Sequence, residues 1–248
     1  MYGAMPIPCR RLATAALLAF AVPGIAGCGM ARGSGDAPDD LRLRPQNGER
    51  PWSYRFERGI RRYEVRPNDR WSGDGDAAKE RSEAYAPRKL SNGGTWDVSF
   101  AMQVERGARN TAAWMTIVQL QSNFDPGEAG HSPPFAIEMK GERMRIASRW
   151  STPLISTAAD THYTMHYNDP ADIRRGHWYR MRIRVRFDPH GQGMLKVWRD
   201  RQPIVDYRGP IGFNDLRGPY FKEGVYRAPA AEPFAVRFRG LKIDRVAG

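Results

Sequence analysis

Near the C-terminal end of the chain two phenols and an amine recur at alternate positions: Tyr220, Lys222 and Tyr226, with Gly224 completing the series. Alternate residues of an extended strand share a face, so these four point one way while Phe221, Glu223, Val225 and Arg227 point the other. A glycine within a strand marks a place where a ligand or another backbone comes close. A phenol beside a cation can pass a proton. An ordinary aromatic-rich strand shows the same alternation, so the motif gains meaning only from its neighbours.

Two other segments offer such neighbours. In Glu80-Arg81-Ser82-Glu83-Ala84-Tyr85, Arg81, Glu83 and Tyr85 share one strand face, and the glutamate can hold the arginine in place. A surface ion pair worth little has the same spacing. In Trp114 to Asn123, Ile117, Gln119 and Gln121 share a face opposite Val118 and Leu120. Two glutamines that break an apolar pattern point to a polar cleft or to a polar outer face. His162 and His166 are four apart, but Tyr163-Thr164-Met165 is not a helical sequence and no third ligand is evident, so no zinc site is expected there. Asp74 and Asp76 flank Gly75 without the remainder of a calcium loop, which leaves structural calcium without a full motif.

The elements that must position these groups read as strands. Tyr54 and Phe56, Tyr63 and Val65, Trp96, Val98 and Phe100, and Met181, Ile183, Val185 and Phe187 alternate with polar residues. Turn clusters such as Arg66-Pro67-Asn68-Asp69, Ser91-Asn92-Gly93-Gly94 and Asp188-Pro189-His190-Gly191 separate the runs. Many short strands without a long 3.6-residue period imply an all-β fold of two packed antiparallel sheets, a sandwich or jelly roll. The run from Met181 to Phe187 also places Arg180, Arg182, Arg184 and Arg186 on one face. That ladder is either a solvated outer face or the lining of a polyanion groove.

The N-terminus has the form of an export signal: Arg10 and Arg11, the apolar run Leu12 to Val22, then Ile25-Ala26-Gly27-Cys28. It resembles a bacterial lipoprotein signal, which implies lipidation of Cys28 and a membrane attachment through that anchor in the cell envelope, the rival reading being a plain secretory signal cleaved nearby and a secreted protein. Residues 1–27 are thus expected to be the signal and 28–50 a flexible tether, with the folded domain at 51–248. Only Cys9 and Cys28 occur, which excludes cysteine catalysis and cysteine-ligated metals in the domain. The formal net charge of +12 points to an anionic partner or serves only to keep the protein soluble. An exported address favours acidic polysaccharide over nucleic acid, and a monomer is expected.

Taken together, the three segments resemble the β-jelly-roll polysaccharide lyases, meaning the heparin-lyase-I-like group and the related alginate and glucuronan lyases. Those proteins carry an Arg-x-Glu strand, a Gln-x-His strand and a Tyr-x-Lys-x-Gly-x-Tyr strand, similar here to Arg81 to Glu83, Gln119 to Gln121 and Tyr220 to Tyr226. Order and approximate spacing agree over residues 54 to 245. Ser132-Pro133-Pro134-Phe135-Ala136-Ile137 and His177-Trp178-Tyr179 are similar as well.

The resemblance implies a concanavalin-like jelly roll and β-elimination on a uronic-acid polysaccharide without a cofactor. Carried over by position, Gln119 and Arg81 would hold the substrate carboxylate, and Tyr226 would protonate the leaving oxygen. Lys222, Glu83, Tyr220, His131 and Arg227 complete the expected substrate-binding set. One position departs from the pattern. Gln121 stands where relatives have histidine, and an amide takes up no proton near neutral pH. Either Tyr226 serves as both base and acid, its phenolate favoured by Lys222 and Arg81, or His131, His162 or His166 replaces the missing base, or catalysis is lost. The last case would leave a noncatalytic glycan-binding module. A glycoside hydrolase would instead need two placed carboxylates, for which Glu83 with Glu138 or Glu223 are the candidates.

Overall fold

The computed structural model describes residues 41–75 and 77–247. The expected signal segment and Cys28 lie outside the described residues, as does Asp76. In chain order the strands are β1 (Arg44–Gln46), β2 (Tyr54–Glu57), β3 (Ile60–Val65), β4 (Glu80–Lys89), β5 (Thr95–Val104), β6 (Met115–Gln121) and β7 (Phe135–Lys140). They continue with β8 (Arg143–Trp150), β9 (His162–Asn168), β10 (Tyr179–Arg186), β11 (Met194–Arg199), β12 (Gln202–Arg208), β13 (Tyr220–Arg227) and β14 (Phe234–Arg245).

These strands form two seven-stranded sheets, ordered β1-β4-β13-β6-β7-β8-β9 and β12-β11-β10-β5-β14-β3-β2, with antiparallel neighbours throughout. The alternation read from the sequence explains the layering. Val98 and Phe100 of β5, Ile183 and Val185 of β10, and Phe221 and Val225 of β13 all turn into one core. Phe100 bridges the sheets, with its ring centroid 5.8 Å from that of Phe221 and 5.9 Å from that of Phe238. Each such buried side chain stabilises the sandwich by roughly 1.5–3 kcal/mol. The architecture is the expected two-sheet jelly roll.

The centre of the first sheet matters for function. β13 lies between β4 and β6, and the register sets Tyr226 beside Arg81, Gly224 beside Glu83, Lys222 beside Gln119, and Tyr220 beside Gln121. Gly224 makes this pairing possible. Its φ is +136°, and a Cβ there would lie 2.3 Å from the Ser82 carbonyl oxygen and 2.6 Å from Glu83 Cα. Gly224→Ala is therefore expected to destabilise the domain by about 2–4 kcal/mol, read as a fall in the thermal melting midpoint. An unchanged midpoint would show that β4 can retreat at no cost.

Three expectations change at this level. The segment 28–50 is not a tether to its end. β1 pairs with β4, and buried Asn47 donates to the Arg81 carbonyl at 2.7 Å. Backbone pairing and one amide hold this edge, so no apolar period announces it. Ile117 does not share the face of the glutamines either. A register shift between Thr116 and Val118 sends Ile117 into the core with Val118, and Thr116 turns outward.

Third, Arg227 is no substrate-binding group. Its side chain is 0% exposed and ion-pairs with Glu80 at 2.7 Å, because strand alternation turns it away from Tyr226 and Lys222. Glu223 turns the same way, toward Arg61 and the Tyr63 hydroxyl of β3, the latter at 3.1 Å. Burial works against the Arg61 charge, yet the Glu223 carboxylate holds the guanidinium firmly protonated. The arginine ladder belongs to the second sheet. There Arg182 and Arg184 both fork onto Asp97, so it lines no part of the cleft on the first sheet.

Candidate active site

A cleft of about 1060 Å³ lies over the first sheet. Of the residues expected to act together, Arg81, Gln119, Gln121, Tyr220, Lys222 and Tyr226 all line it. Glu83 sits beneath them as a shared anchor with no exposed side-chain surface. It accepts from Gln119 Nε2 at 2.6 Å and lies 2.8 Å from Lys222 Nζ and 3.1 Å from Arg81 Nη1. A buried carboxylate with three such partners fixes the rotamers of the groups above it. Burial lowers the Lys222 pKa, and the Glu83 carboxylate pulls it back upward. Burial also raises the Tyr220 pKa, which Glu83 reinforces.

Arg81 is placed differently from the expectation. Its fork is committed: Nε and Nη2 donate to the two oxygens of Asp74 at 3.0 and 2.7 Å, and Nη1 donates to Gln46 Oε1 at 3.1 Å. A guanidinium so engaged has no free fork for a substrate carboxylate. Its plane instead covers the Tyr226 ring at 4.1 Å. The edge of Tyr226 meets Trp114, with centroids 5.0 Å apart, and Lys79 lies 5.7 Å from its centroid. The donors left facing the cleft are the second hydrogen of the Gln119 amide, the Gln121 amide and the Lys222 ammonium.

The cleft walls are cationic. Lys79, Lys140, Arg145 and Arg149 line it, and Glu138 is the one carboxylate among the described lining residues. Glu138 is itself paired with Arg149 at 3.0 Å. With Glu83 anchored below, Glu223 turned inward and Glu138 paired with Arg149, none of the three carboxylates considered for hydrolysis stands free in the cleft. The histidines differ in position. His131 lines the cleft between Phe124 and Phe213, at centroid distances of 4.8 and 4.0 Å. His162 stacks on Trp150 at 3.9 Å, and His166 bonds the Ser148 hydroxyl at 2.7 Å. Burial lowers the His166 pKa.

Sequence reasoning missed Gln46, Asp74 as a partner of Arg81, and the Trp114 wall. Gln46 falls in the segment read as tether and carries no sequence signal. Asp74 was weighed only as a calcium ligand, and both its oxygens accept from Arg81 instead. Trp114, 40% exposed, lies just before β6.

The fold and cleft define a β-jelly-roll protein with a cationic cleft over one sheet. The chain belongs to the polysaccharide lyase family, whose model matches residues 48–243, and it is accordingly a lyase of that class. No curated protein is a significant sequence match. Among solved structures the chain is similar to the endo-β-1,4-glucuronan lyase from the fungus Trichoderma reesei, with 12% identity, 87% of this chain and 92% of that one covered, and a TM-score of 0.64. It is similar also to alginate lyase A1-II′ of polysaccharide lyase family 7, with 13% identity, 85% and 97% coverage, and a TM-score of 0.55. A third is alginate lyase AlyC3 in complex with dimannuronate, with 13% identity, 76% and 75% coverage, and a TM-score of 0.53. At these identities the likeness shows the fold.

Proposed function

We propose that the protein cleaves a uronic-acid polysaccharide by β-elimination on the first sheet, with Tyr226 as the proton-transfer group. The observation that carries this reading is the register of β4, β13 and β6, which assembles Arg81, Tyr226, Lys222, Gln119 and Gln121 on the floor of a cationic cleft. In the reaction the amides of Gln119 and Gln121, with Lys222, neutralise the C5 carboxylate and so acidify the adjacent C–H. Tyr226 as phenolate takes the C5 proton, the C4–O4 bond breaks as the C4=C5 double bond forms, and the resulting phenol returns the proton to O4. Gln121 only donates a hydrogen bond, so both transfers fall to Tyr226. Arg81 stabilises the charge on the phenol from its stacked position. The neighbours named for glucuronan and alginate support a uronate chain as substrate.

Alginate, glucuronan and heparin-like chains are the panel that tests the reaction. At least one is expected to yield unsaturated ends that absorb in the ultraviolet. Tight binding without such ends on any polymer would reduce the protein to a glycan-binding module, and new reducing ends without absorbance would mean hydrolysis. Arg81→Lys is expected to lower kcat by roughly 10–100-fold, because an ammonium can neither stack as a plane nor bridge Asp74, Gln46 and Glu83 at once. A kcat unchanged in this variant would remove Arg81 from the mechanism. We propose further that the enzyme acts as a monomer in the bacterial envelope, tethered by lipid at Cys28. Labelling with radioactive palmitate that persists in Cys28→Ala would overturn the anchor.

A further inference from the structure

We infer that the loop end of the cleft holds a divalent transition-metal site built from Glu128, His131 and Asp215. These residues come from the β6–β7 and β12–β13 connections, and one ligand atom from each lies within 4.8 Å of the others. His131 Nε2 is 3.6 Å from Glu128 Oε1. That separation is close to the roughly 3.4 Å edge of a tetrahedron with ~2.1 Å metal–ligand bonds. Small side-chain motions would bring all three groups to one ion.

The site is built and unfinished without a cation. The side chains of Glu128 and His131 are 0% and 7% exposed, and Asp215 is 6% exposed. His131 Nδ1 lies 3.2 Å from the Ser132 carbonyl. If Nδ1 carries the proton and donates there, the Nε2 lone pair is directed at the two carboxylates. Nε2 and Asp215 Oδ1 are both buried without a hydrogen-bond partner. Glu128 accepts the amides of Asp125 and Ser156 at 3.0 and 2.8 Å, which orients it as supporting hydrogen bonds orient a metal ligand.

Buried carboxylates facing a lone pair are costly unless a cation joins them. One imidazole nitrogen and two carboxylate oxygens suit zinc and its neighbours in the first transition row, and the nitrogen disfavours calcium. A fourth position would fall to water or to the buried, unpartnered hydroxyl of Ser156. Such an ion would tie together the β6–β7, β12–β13 and β8–β9 connections, and through His131 it would set the shape of the cleft wall.

The test uses the complete mature chain without a polyhistidine tag. Elemental analysis after exposure to Zn²⁺ and desalting is expected to give about one zinc per chain. The melting midpoint should rise by roughly 5–10 °C at a hundredfold excess over Kd, and a chelator should reverse the rise. Asp215→Asn and His131→Gln should each weaken binding at least tenfold. If either variant fails to fold, Co²⁺ titration of the wild type decides, since a histidine-ligated four-coordinate site gives visible absorption bands. The proposal is overturned by zinc below a tenth per chain with no thermal shift, by a featureless Co²⁺ spectrum, or by a shift with Ca²⁺ alone.

Discussion

Tyr226→Phe is expected to lower the rate of unsaturated-end formation by roughly 10²–10⁴-fold while leaving polysaccharide binding within a few-fold of wild type. The substitution removes the phenolic oxygen and keeps the ring between the Arg81 guanidinium and Trp114, so the cleft keeps its shape. Direct binding by calorimetry separates the two effects. The expected pattern is retained affinity with lost turnover, the signature of a group that acts only in the transition state. Gln121, which stands where relatives have histidine, cannot take a proton and so cannot inherit the role. If the phenylalanine variant keeps a tenth or more of the activity, the base lies elsewhere. His131 is then the next group to replace, because it is the histidine that lines the cleft.

Arg227→Ala should act on stability and not on the substrate. The guanidinium is fully buried, donates to Glu80 at 2.7 Å and to the Glu232 carbonyl at 2.8 Å, and leaves Glu80 without a cation when it is removed. Breaking a buried pair in this way costs about 3–5 kcal/mol. For a domain of this size that is a fall in melting midpoint of roughly 10 °C. The Michaelis constant, measured below the new midpoint, should stay within twofold of wild type. A variant with unchanged melting and a Michaelis constant raised fivefold or more would put Arg227 back in the cleft. Replacing both partners, as in Arg227→Met with Glu80→Leu, should recover much of the loss, because an apolar pair leaves no buried charge.

Much of the molecule can be read before any coordinates. The alternation through Val98 and Phe100, and through Ile183 and Val185, identifies core-facing strand positions because a sheet with one buried face imposes a period of two. The same period separates Tyr220, Lys222, Gly224 and Tyr226 from Phe221, Glu223, Val225 and Arg227, and both sets lie as that division requires. The same period turns Arg227 away from Tyr226, against the expectation that it binds substrate. The alternation fails at Ile117, where a bulge adds a residue that no local pattern marks.

By itself the sequence determined a two-sheet β fold, a strongly basic chain, and the strand that carries Tyr226. These follow from composition and from period-two patterning, which are local properties. Tertiary structure alone decided which strands flank β13, because pairing across more than a hundred residues is set by register and by the close approach that Gly224 permits. It also decided that Asp74 and Gln46 take up the fork of Arg81 and that Glu83 serves three partners at once. Packing likewise brought Asp215 of one loop against Glu128 and His131 of another. Charged groups choose partners by distance in space, and no spacing along the chain encodes that distance.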